Sequence, residues 1–147
     1  MKTTESKINY VVWLSPEVMH EASRKWLSEL EFIKGEQLFF RDLIKSYALY
    51  LIDSKHIDES RKVIDNLNKI KKKTTLLTES VQNHENKLII WDDSIDHSKE
   101  EERYKTEHRQ LIIDVSKFFQ NYRIFKTNFF DLIKEIIKEQ RQKRLLK

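Results

Sequence analysis

A chain of 147 residues with a single glycine, Gly35, and a single proline, Pro16, has almost nowhere to turn sharply. Sheet architectures draw on both residues repeatedly, glycine where φ must be positive and proline where a turn needs a fixed φ. Their near absence predicts long helices joined by few loops. The remaining composition agrees. With 39% hydrophobic and 35% charged residues, the chain suits helices that each bury one stripe and expose the rest.

Apolar residues recur at alternating steps of three and four, the pattern of a heptad seam. The first seam runs Met19, Ser23, Trp26, Leu30, Ile33, Gln37, Phe40, Ile44, Tyr47, Leu51. Ser15 is a suitable N-cap, Pro16 fits the first helical position, and Glu17 suits the positive end of the helix dipole. Leu14 and Met19 are spaced as a hydrophobic staple. The second seam runs Val63, Leu67, Ile70, Thr74, Leu77, Val81, His84, Leu88, Trp91, with Asp58 as the expected N-cap. The third runs Tyr104, His108, Leu111, Val115, Phe118, Tyr122, Phe125, Phe129, Leu132, Ile136, behind a capping box from Ser98 to Glu101.

The expected fold is therefore all-α. It is an antiparallel three-helix bundle with helices over about 16–52, 58–92 and 98–146, the third longest and overhanging at its C-terminal end. Residues 1–15 form a lead-in. Its Ile8, Tyr10, Val11, Val12, Trp13 and Leu14 are too apolar for a free tail, so it should pack against the bundle end or a partner.

Several function classes drop out. No cysteine is present, which removes disulfide scaffolds, thiolate nucleophiles and cysteine-based zinc or iron–sulfur sites. A phosphate-cradling loop needs several glycines. The first residues carry no apolar signal core, and no stretch approaches the roughly 18 apolar residues of a membrane span. A cytoplasmic protein without a transmembrane segment is expected.

The last 14 residues carry the whole net charge of +4. Lys138, Arg141, Lys143, Arg144 and Lys147 form a basic tail around Leu145 and Leu146, a candidate for contact with an anionic membrane surface, nucleic acid or an acidic partner. The dipole at a helix C-terminus also favours Lys and Arg with no ligand involved. The run Lys69, Lys71, Lys72, Lys73 lacks interleaved aromatics for base stacking, which argues against nucleic-acid binding by the rest of the chain.

The antiparallel register places His84 opposite Trp26 and opposite Glu107 and His108, with Glu29, Glu85 and Glu107 flanking the layer. Histidine and carboxylate on facing helices are the raw material of bundle metal sites. A polar structural layer is the stronger reading. A carboxylate-bridged di-metal centre wants four helices and two Glu-x-x-His pairs, whereas the single such spacing here is Glu17 to His20. No catalytic residue set and no cofactor is expected. A second polar layer pairs Gln37 with Thr74 and faces Phe118. Glu36 and Gly35 lie beside it, the glycine either permitting a close approach or simply tolerated on the surface.

The apolar surplus is the most useful clue. Leu38, Phe39, Phe119, Phe130, Ile133 and Ile137 point away from the expected core, giving more apolar surface than a monomeric bundle needs. The expected function is a non-enzymatic helical interaction or scaffold protein. It would self-associate through the third helix, a two-fold dimer being favoured, with a groove for a partner's helix as the variant. The alternatives are a metal-binding bundle built on His84 and His108, redox or hydrolytic in activity, and a peripheral membrane or nucleic-acid binder acting through the tail.

Overall fold

A computed structural model describes residues 14–92 and 98–146, with side chains over 14–88 and 100–146. Among these residues there are helices and no strands: α1 (Pro16–Ser46), α2 (Ala48–Leu51), α3 (Ile57–Asp92) and α4 (Ser98–Leu146). The lead-in expected over 1–15 lies outside the described residues apart from Leu14 and Ser15. So do the loop at 93–97, the capping contacts at Ser98, the Trp91 side chain and Lys147.

The start of α1 follows its sequence signals. The Ser15 Oγ accepts the Val18 N–H at 3.2 Å, which satisfies one of the four unpaired N–H groups at a helix start. Leu14 and Met19 are both buried and join Leu88 and Tyr104 in one apolar cluster, so the staple forms.

The expected helix over 16–52 is interrupted. Tyr47 has φ −108° and ψ 17°, far from the helical ψ near −42°, and only the single turn α2 follows. Neither glycine nor proline is involved. Leu51 is buried beyond the break, while Leu49 and Ile52 are exposed. The expected cap at Asp58 also shifts. The Ser60 N–H bonds to the His56 carbonyl at 2.8 Å, so α3 opens at Ile57 and His56 is the cap residue. Asp58 and Glu59 fall in the first turn, where the dipole favours acidic groups.

The helices pass through two compact units, the chain up to Phe32 with Thr75–Lys117, and Ile33–Thr74 with Phe118–Lys147. In the first, Leu30, Val81 and Val115 are buried, as are Leu14, Met19 and Leu88. In the second, Phe40 is fully buried among aromatic rings of α4. Its ring centroid lies 4.9 Å from that of Phe129 and 5.6 Å from that of Phe125. Five seam residues, Trp26, Ile44, Tyr47, Ile70 and Tyr104, are half-buried and not enclosed as their spacing suggested.

Gly35 is a surface position. A Cβ added there meets nothing within 4 Å, and its φ is not positive. It supports no close approach. Gly35→Ala should therefore stabilise the fold by about 1 kcal/mol, because alanine loses less backbone entropy in a helix interior. Urea denaturation measures this, and a destabilised variant would mean that the glycine is needed for packing.

Candidate functional site

Two clusters of titratable side chains are built into the units, and a third feature is exposed apolar surface.

The first cluster joins α3 to α4. His84 and His108 are both fully buried. The Nε2 of His84 lies 3.0 Å from Nδ1 of His108, and its Nδ1 lies 2.8 Å from a Glu107 oxygen. A carboxylate only accepts, so the neutral His84 carries its proton on Nδ1. Its Nε2 then accepts from Nδ1–H of His108. The row ends at Nε2 of His108, an unprotonated nitrogen that is buried without a partner. Lys87 bonds the other Glu107 oxygen at 3.1 Å, and the Trp26 ring stacks on His108 at 5.0 Å.

Burial lowers the pKa of both histidines. For His84 it outweighs the hydrogen bond and charge of Glu107. His108 is taken down to about 4 by burial and by the neighbouring imidazole. Burial alone would raise Glu107, but hydrogen bonds from Lys87 and His84 prevail and leave it lowered. A histidine at about 4 is a poor general base near neutral pH, where an effective base titrates close to the working pH. Both nitrogens of His84 are already engaged. The row links α3 to α4 through two buried imidazoles.

Of the five residues singled out as metal ligands, the fold brings together His84, His108 and Glu107. Glu85 pairs instead with His20, and its second oxygen is buried without a partner. Glu29 is half-buried.

The second cluster lies in the other unit and escaped sequence reasoning. His56 is 4% exposed, and its Nε2 lies 2.8 Å from Glu139 Oε2. Lys55 donates to the other oxygen of Glu139. Hydrogen bonds from His56 and then Lys55 hold the Glu139 carboxyl at about 2. Glu59 and Glu135 stand close by. One oxygen from each and an imidazole nitrogen of His56 lie within 4.8 Å of one another, the only group of three ligating side chains at metal spacing among the described residues. A signal existed. The second seam, read backwards from Leu67 and Val63, continues to Ser60 and His56, and the third, read forwards from Leu132 and Ile136, continues to Glu139.

The same unit holds the expected Gln37–Thr74 pair, 2.9 Å from Nε2 to Oγ1, with the Thr74 hydroxyl donating to the Ile70 carbonyl at 2.7 Å. Close by in sequence, the Tyr122 hydroxyl donates to Glu36 at 2.9 Å, and Lys126 sits over the Tyr122 ring and against the same carboxylate.

The six apolar residues expected to face outward divide. Leu38 and Phe39 are each 54% exposed and Phe130 38%. Phe119 and Ile137 are half-buried. Ile133 corrects the expectation, being 5% exposed. Leu132, Ile133 and Ile136 are all enclosed, so α4 buries a wider arc here than a two-residue heptad stripe. In the tail, Lys138, Arg141, Lys143 and Arg144 are exposed, with Leu145 and Leu146 beside them. No helix among the described residues is long and apolar enough to cross a membrane. Comparison of the chain with protein-family models, with curated proteins and with solved structures finds no match.

Proposed function

We propose that this chain is a non-enzymatic helical interaction protein, an antiparallel three-helix bundle that self-associates as a two-fold dimer. Its contact surface would be the aromatic face of α1 and α4 in the second unit. One observation carries this reading. Phe39 and Phe130 are exposed at 54% and 38%, and both rings lie near that of buried Phe40, with centroids 6.2 and 5.6 Å from it. Large rings held at the surface by a rigid buried neighbour lose little entropy on docking, and aromatic anchors dominate protein interfaces. Leu38, Phe119 and Ile137 extend the apolar area. The helix directions are supported by pairs inside each unit, His20 with Glu85 in one and Gln37 with Thr74 in the other.

The test is the double variant Phe39→Glu/Phe130→Glu, followed by light scattering. Burying two uncompensated carboxylates should weaken the dimer at least roughly 100-fold and leave a folded monomer. Phe39→Glu alone changes a residue that is 54% exposed, and it guards against loss of fold in the double variant. Unchanged mass in both would remove this interface.

A further inference from the structure

We infer that the second unit carries a site for a divalent transition cation of the zinc type, made by His56, Glu59 and Glu135. The site is separate from the His84–His108 layer and does not depend on self-association.

An imidazole nitrogen and two carboxylate oxygens lie within 4.8 Å of one another. Zinc binds such atoms at about 2.0–2.2 Å, so two ligands of one ion are separated by roughly 3.4 Å at a tetrahedral angle and at most about 4.4 Å. The remaining gap is closed by small rotations of Glu59 and Glu135, both of which are exposed. The third ligand is the rigid one. His56 is buried and is the cap residue of α3, so its backbone is fixed by the bond from Ser60.

The surroundings match the outer shell of a metal-bound imidazole. Such a histidine donates its other N–H to a carboxylate, which sets tautomer and ring orientation. Glu139 would take that place, accepting from Nε2 at 2.8 Å, with Nδ1 as the proposed ligand atom. Lys55 in turn fixes Glu139. Lys55 feels the charges of Glu139, Glu135 and Asp53, and Glu59 and Glu135 converge on His56, so a bound cation would relieve repulsion between carboxylates. The Ser60 hydroxyl, one turn along α3 from His56, is buried without a hydrogen-bond partner.

The donor set selects the class of ion. Calcium and magnesium favour oxygen ligands alone, whereas one imidazole with carboxylates suits zinc, manganese or ferrous iron. A bound ion would tie the start of α3 to α4.

Calorimetric titration of the full chain with zinc chloride tests the site. The wild-type protein should take up one ion per chain with a dissociation constant in the micromolar range or tighter, and magnesium should give no saturable heat. Glu59→Gln/Glu135→Gln keeps the His56–Glu139 pair and should weaken zinc binding at least roughly 100-fold. The variant His84→Phe/His108→Leu should bind as the wild type does. Glu135→Gln alone serves if the double variant is unfolded by circular dichroism, with a loss of at least roughly tenfold expected. No one-site binding by the wild type, retention of affinity within tenfold in the Glu59→Gln/Glu135→Gln protein, or loss of binding in the His84/His108 variant would each overturn the assignment.

Discussion

Replacing Phe40 with alanine should cost the protein about 3–5 kcal/mol, the largest loss expected from any single substitution here. The ring is fully buried and packs against four aromatic neighbours on α4: Tyr122, Phe125, Phe129 and Phe130, at 6.4, 5.6, 4.9 and 5.6 Å between centroids. Truncation removes the transfer free energy of the ring and leaves a cavity walled by stiff rings that cannot collapse into it. Against a total stability of about 5–15 kcal/mol, that loss leaves little in reserve. Phe40→Leu keeps more of the volume and should cost less. Urea denaturation followed by circular dichroism reads both, and a loss below about 1 kcal/mol for Phe40→Ala would mean that the aromatic cluster is not what holds this unit together.

Acid should produce the second large effect. His84 and His108 titrate below the ordinary histidine value, His108 at about 4. The unfolded chain therefore takes up protons first as pH falls from about 6.5. Stability is fully present above that value and is lost progressively on the way down to about 4, the His108 share amounting to roughly 3 kcal/mol. The charged groups around the pair are Glu107, Lys87 and Glu85. Glu107 is itself lowered, so its own loss continues in the same direction below the ordinary carboxylate value. In His84→Phe/His108→Leu both partners become apolar together, which leaves no orphaned imidazole, and Glu107 remains close enough to solvent to be hydrated. The denaturation midpoint of the wild type should fall steeply between pH 6.5 and 4, while that of the variant should stay nearly flat. Equal slopes would show that the acid response lies elsewhere.

The long helices were legible because their evidence is local. A single glycine and a single proline point to helices, and the three seams name most of the buried residues. The His84 layer was legible too, since the register expected from the loop positions puts His108 opposite, and the two imidazoles do meet. The break at Tyr47 was not, because no glycine or proline marks it. Ile133 was misjudged because a two-residue heptad stripe undercounts an arc that three neighbouring residues fill. The His56 cluster was hidden for a different reason. Histidine and glutamate at the ends of seams look like solvated loop and tail residues until the fold places Glu139 against His56, 83 positions earlier in sequence.

The most direct test of the central claim is sedimentation equilibrium of the full chain over a range of concentrations. A species of twice the 17.9 kDa chain mass, dissociating on dilution and abolished by Phe39→Glu/Phe130→Glu, is the result expected of a helical interaction protein that dimerises through its exposed aromatic face. A single species at the chain mass across the whole range would contradict it.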